Sequence, residues 1–314
     1  MTPLPFTFGN ALNHFSRTGG PKGFLWKYAL AYGLCSLLVQ VLSGYFMGSY
    51  YAAIFNPATF GDERAINAAL TQNFGRIMIG YVISLVGGIA LWTVFEAASQ
   101  RRYMRSEGFS LRFGADEGRL LLIGLIWIGI FLALYVGLII VMIVPAGLLA
   151  FLASSGSDGG TAFAVLLMFV AILAYMVFAL WFCARFSPAA AMTIRDNSIQ
   201  FGEAWRVTKG KAWTIVGSWI VIMLLSMLVL VVLYIAFAAF ALVSLVPALQ
   251  GDADPAAVMS AMMTPQFILP LIIFGALYMF ITAALMHIFG GPAALAAKAD
   301  PSWVNNPEMD KTFS

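Results

Sequence analysis

Long apolar runs alternate with short polar connections along the whole chain. Six runs are long enough for a helix to cross a bilayer core, which takes about 20 residues. They are Phe24–Phe46, Arg76–Glu96, a run from Arg119 to Ser157, Thr161–Ala184, a run from Lys211 to Gly251, and Phe267–Phe289. Closed barrels are the other spanning solution, but strands of a barrel alternate apolar and polar residues. These runs are apolar on every side. The pattern predicts an all-α polytopic bundle of six transmembrane helices, arranged as three hairpins. The third and fifth runs exceed what a bilayer needs, so their helices must tilt, kink or project. Pro145 and Pro247 sit near their far ends, where a kink or stop is expected.

The polar connections carry a repeated order of features. Phe8-Gly9, Phe113-Gly114 and Phe201-Gly202 each open a polar stretch that leads through a glycine into a hairpin. The hairpins close on Phe95-Glu96-Ala97-Ala98, Phe186-Ser187-Pro188-Ala189-Ala190 and Phe289-Gly290-Gly291-Pro292-Ala293-Ala294. This divides a transmembrane domain of residues 1–299 into units 1–100, 106–193 and 198–299, followed by a tail, 300–314, expected to be extended or disordered. Phe8, Leu12 and Phe15 share one helical face, as do Phe201 and Trp205 with Thr208. Such a segment either lies flat at the headgroups, with Arg206, Lys209 and Lys211 toward anionic lipid, or seals the end of the bundle. Ser198 is placed to cap the second of these helices.

Composition and charge sharpen the picture. Hydrophobic residues make up 61% of the 314, and charged residues only 10%, against roughly 25% in soluble domains. That balance excludes a nucleic-acid binder and an ordinary soluble enzyme. All 17 Lys and Arg residues except Arg64 and Arg76 fall on one side of the predicted membrane. The positive-inside rule then places both termini in the cytoplasm. The first apolar run is too long for a signal-peptide core, so no cleavable leader is expected.

Candidate chemistry is sparse. Cys35 and Cys183 lie in apolar runs and read as small packing residues. No phosphate loop, zinc motif or nucleophile elbow is present, so no catalytic, metal or cofactor site is expected. The carboxylate pairs Asp62-Glu63 and Asp116-Glu117 read as solvated surface. Gln40 is the main polar side chain inside a span, and forms a helix contact or lines a path. His287 reads as a structural group or a titrating one. Glu96 and Arg185 end matching spans, as an ion pair or as separate anchors. Gly44 and Gly48, and Gly80, Ser84 and Gly88, have the spacing that lets helices approach closely. Asp254-Pro255 is expected to start a short helix through Met263 that rests on the outer membrane surface.

The segment Ala184-Arg185-Phe186-Ser187-Pro188-Ala189-Ala190-Ala191, followed by Phe201-Gly202-Glu203-Ala204-Trp205-Arg206-Val207-Thr208-Lys209-Gly210-Lys211-Ala212-Trp213, resembles the bacterial glycerophosphodiester phosphodiesterase membrane domain and the YciC-like integral membrane proteins. The resemblance covers about 30 residues and, loosely, the six-span layout. It implies a bundle in the bacterial inner membrane. It does not imply a phosphodiesterase, because catalysis in the fused enzymes belongs to a separate soluble domain. Three functions follow as expectations: a non-enzymatic bundle that organises membrane or binds partners; a transporter or lipid-handling protein for an apolar or amphipathic substrate; and, least supported, an intramembrane enzyme. Membrane lipids are the expected partners, with a protein partner or a second copy of the chain left open.

Overall fold

Six apolar helices dominate the structure, a computed structural model that describes residues 4–56, 62–156, 158–249 and 255–304. Among the described residues there is no strand. The chain is an integral membrane protein whose spans are α2 (Phe24–Ile54), α4 (Phe74–Arg105), α5 (Ala115–Ser154), α6 (Asp158–Phe186), α9 (Ala212–Leu249) and α11 (Pro265–Lys298). Between and around them lie α1 (Phe8–Asn13), α3 (Glu63–Gln72), α7 (Ala189–Asp196), α8 (Glu203–Val207), α10 (Pro255–Met262) and α12 (Pro301–Val304). A single 3-10 turn, His14–Ser16, extends α1.

The hairpins are α2 with α4, α5 with α6, and α9 with α11. Neighbouring hairpins meet through α4 against α5, α6 against α9, and α11 against α2, which closes a ring. On the α2–α4 seam the small residues do what their spacing requires. Ser43 donates to the Gly80 carbonyl at 2.9 Å, and Ser84 bonds Ser43 at 2.8 Å. A Cβ on Gly80 would collide with Met47 at 2.5 Å. Gly44 and Gly48, by contrast, face open space.

The buried core sits at one end of the bundle, where the cations are. The last turns of α4 are buried almost without a break from Phe95 to Met104, α7 from Ala189 to Ile194, and α11 from Gly291 to Ala297. These three segments pack on one another. Small side chains allow it. A Cβ on Gly291 would stand 3.2 Å from the Tyr103 hydroxyl, and one on Gly290 3.3 Å from Gln100. Further along, burial thins out. Over its 40 residues α5 buries Glu117, Leu120, Ile123 and Pro145.

Charged groups tie this basic end together. Arg101 pairs with the nearly buried Glu117 at the start of α5. Arg105 donates to Asp116, to the Ile194 carbonyl and to Asn197, joining α4, α5 and the end of α7. Arg195 donates to the Ala297 carbonyl at 2.7 Å. A helix end leaves carbonyls unsatisfied, and these side chains meet them. Glu117 also accepts from the Gly114 amide at 2.9 Å, which caps α5.

Several expectations change. The even spans do not stop at Glu96, Ala184 and Phe289. They run on to Arg105, to Phe186 with α7 after it, and to Lys298, and cations met on the way are held inside protein: Arg101 pairs with Glu117, and Arg185 lies over Trp205. For the same reason Asp116-Glu117 is not solvated surface. Ser198 does not cap α8; that helix begins after Gly202, and the Ser198 hydroxyl accepts from Gln200. The tail does not begin at 300, since Asp300 is buried and α12 follows it; residues 305–314 lie outside the described residues. Helix α10 packs on α9 and α11 with Met259 buried, whereas its expected cap, Asp254, lies outside them. Pro145 does not stop α5, which continues to Ser154.

Overpacking this layer should be costly. Ala294→Leu is expected to destabilise by about 1–3 kcal/mol, read as a lower unfolding temperature in detergent. Gly48→Leu, which meets open space, should leave that temperature unchanged or raised.

Candidate functional site

The residues singled out for lipid contact divide once their surroundings are seen. In α1, whose first turn is capped by Thr7, the buried side chains are Ala11 and, just after it, His14. Leu12 and Phe15 are half-buried, with Phe15 against the core, and Phe8 is exposed. The helix lies against α9 and α11, so it seals the basic end. Phe201 stacks on Phe186 with ring centroids 4.9 Å apart. Trp205 keeps an exposed edge, but its ring packs on Trp181 and Phe186 and carries the Arg185 guanidinium 4.3 Å above it. Arg185 therefore engages tryptophan, and no Glu96–Arg185 pair forms.

Two of the three candidate cations are structural. Arg206 bonds Glu203 at 2.9 Å and reaches Asp300. The Glu203 hydrogen bond, aided by Asp300, raises the guanidinium pKa further despite some desolvation. Lys211 donates to the Ala296 and Ala299 carbonyls at the end of α11, and burial lowers its pKa. Burial pushes the Asp300 carboxyl upward, but hydrogen bonds from Ser302 and the charge of Arg206 outweigh it and hold the carboxyl below its usual range. Lys209 alone of the three has an exposed side chain with no hydrogen bond or ion pair of its own among the described residues.

Gln40 lies on the exposed face of α2 and neither bridges helices nor lines a cavity. His287 is in the buried layer. Its Nδ1 shares a 2.7 Å hydrogen bond with the Ser99 hydroxyl. Its ring stacks on Tyr103 at 4.5 Å, and Tyr103 stacks in turn on His14 at 5.4 Å. A serine beside a histidine suggests an activated nucleophile. Here both are buried and walled in by Phe24, Tyr28 and Tyr103, with no room for a substrate.

The space that can hold a ligand lies elsewhere. A cavity of about 1260 Å³ runs between α4, α5, α6, α9 and α11. On α4 it is lined by Ser84, Gly88, Trp92, Glu96 and Gln100, each four residues from the last, so that neighbours in the series stack and the stripe winds slowly around the helix. The span from Ser84 to Gln100 is about 24 Å at 1.5 Å per residue. Trp127, Phe131, Tyr175 and Trp219 add aromatic surface from the other helices. The floor, at the basic end, is closed by Gln100 and Ala293, both buried. Away from the floor the walls are accessible: Leu85, Phe131 and Tyr135 each keep more than half of their surface exposed. The cavity therefore opens at the level of the apolar spans and is shut toward the basic end. Among the described residues Glu96 is its one charged lining residue, and Gln100 donates to Glu96 at 2.8 Å.

No family model, curated protein or solved structure matches this chain. Among the described residues no cluster of three His, Cys, Asp or Glu side chains is placed to hold a metal ion.

His14 supplies a pH test of the sealed layer. Burial first, then the charge of Lys298, lowers its pKa from 6.5 to about 3, and neither ring nitrogen has a hydrogen-bond partner. The imidazole stays neutral in the folded protein while the unfolded chain takes up a proton. Its contribution is thus fully present above about pH 6.5 and is lost as pH falls toward about 3. Replacing it, as His14→Phe, should flatten the acid side of a plot of unfolding temperature against pH. An unchanged acid limb would refute the assignment.

Proposed function

We propose that this membrane protein is a non-enzymatic handler of an apolar or amphipathic molecule that it takes from the bilayer. The observation that carries this reading is the cavity, shut at the basic end and accessible at the level of the spans. Ligand sites are concave and mostly apolar, with few polar groups placed to orient the guest, and commonly measure 300–1,000 Å³. This one is somewhat larger and carries one carboxylate at its end. A protein that only organised the membrane would gain nothing from such a void, because unfilled space forfeits dispersion contacts. With the charge bias read as positive-inside, the closed floor lies toward the cytoplasm and the guest enters from the lipid.

A second reading has its own support. The α2 face with Gln40, Gly44 and Gly48 is unpacked, which suits a bundle that associates with another membrane helix. The two readings are compatible, and both fit a bundle without catalytic groups, as the resemblance to the phosphodiesterase membrane domains implies.

Filling the cavity separates them. A Cβ on Gly88 meets nothing within 4 Å, and Gly88 lines the cavity, so Gly88→Phe is expected to place its ring in the void. Protein extracted in native nanodiscs should carry a reproducibly enriched lipid or small molecule, and the variant should lose it while keeping its unfolding temperature. Identical profiles from the two proteins would rule out a cavity-bound guest.

A further inference from the structure

At the floor of the cavity the Glu96 carboxylate has a hydrogen bond from Gln100 but no cationic partner among the described residues. Gln100 is 2% exposed and lines the cavity. Its amide nitrogen is spent on Glu96, and its Oε1 has no hydrogen-bond partner. Among the described residues Glu96 is in no ion pair. The contrast with its neighbours is informative. Glu117 is paired with Arg101, Asp116 with Arg105 and Arg119, and Asp300 with Arg195 and Arg206. The cations nearest in sequence are committed elsewhere: Arg101 to Glu117, and Arg102 to Thr18 and the Glu107 carbonyl. A charge removed from water without a partner is costly, and a lone buried amide oxygen forfeits a hydrogen bond.

We propose that the cavity binds an ammonium group on an apolar body, with the Glu96 carboxylate accepting its N–H donors. This rests on the cavity reading above and adds the chemistry of the guest. The carboxylate is an acceptor, so it matches a donor head and repels an anionic one. The walls supply Trp92, Trp127 and Trp219, whose rings attract cations as well as hydrocarbon. Among the described residues no Lys, Arg or His lines the cavity, so none of them would neutralise a phosphate. A free lipophilic amine fits better than an aminophospholipid, although both carry the ammonium.

The test uses the full chain in phosphatidylcholine nanodiscs, with empty nanodiscs as the partition control. The probes are dodecylammonium and dodecanol, which share a tail, and phosphatidylethanolamine as the lipid source of an ammonium. Dodecylammonium should raise the unfolding temperature at concentrations where dodecanol does not. Glu96→Gln should weaken its binding by roughly tenfold to a hundredfold, as expected for loss of a charge-assisted hydrogen bond. Enrichment of phosphatidylethanolamine that depends on Glu96 would assign the lipid as the source of the ammonium; binding of dodecylammonium without such enrichment assigns a free amine. Equal binding of amine and alcohol, both abolished by Gly88→Phe, would overturn the ammonium proposal and leave the cavity reading standing. Binding of neither would overturn both. The amine–alcohol comparison needs only the unaltered protein, so it decides the matter even if Glu96→Gln does not fold.

Discussion

Three helix ends meet in a buried layer rich in alanine and glycine, and the rest of the structure depends on that junction. The hydrophobic effect does not hold helices together inside lipid, because lipid tails are as apolar as leucine. Association must come from close packing and from polar contacts. This chain concentrates both at the basic end. Ala97 and Ala98 on α4, Ala189–Ala191 on α7 and Ala293–Ala297 on α11 bring the backbones near, and Arg101, Arg105 and Arg195 bind one helix to the next. Short pieces finish the layer: α1 closes over it, and Lys211 and Asp300 secure the last helix end.

A bundle fastened at one end can tolerate space elsewhere. The same junction that packs Gln100 and Ala293 tightly forms the floor of the cavity, and the ring of spans forms its walls. Architecture and binding are thus one arrangement: the floor is shut because the small-residue layer is dense, and the walls are open because few side chains are buried above it. Gly124 shows the local fitting. A Cβ there would stand 2.4 Å from the Trp92 ring, so a bare backbone on α5 lets that ring lie flat between the helices.

Much of this was legible in the residues. Uninterrupted apolar runs gave the six spans, and the Phe-Glu-Ala-Ala, Phe-Ser-Pro-Ala-Ala and Phe-Gly-Gly-Pro-Ala-Ala motifs, read as hairpin ends, fall in the segments that form the buried layer. Span ends were less legible, because a charge in sequence reads as the edge of a membrane until its partner is known. Glu117 and Asp300 look solvent-facing for that reason. Gln40 misled in the opposite direction: a polar residue inside a span suggests the interior, yet it faces outward. The cavity did have a signal, since Ser84, Gly88, Trp92, Glu96 and Gln100 recur at intervals of four. Nothing in that stripe alone tells a face that packs from a face that lines a void; this depends on how far the opposing helices stand away. His14 carried no signal, as its burial depends on α4 and α11.

The central claim is that the space between the hairpins is continuous with the hydrocarbon of the bilayer and closed at the basic end. Nitroxide collision accessibility measures this directly. A spin label at Ala179, in the cavity wall, should collide with membrane-soluble oxygen about as often as one at lipid-facing Leu38, while a label at Ala294 should be shielded from oxygen and from a water-soluble nickel chelate alike. A label at Ala179 that is immobilised and shielded from both would mean that the helices close on one another and that there is no cavity to fill.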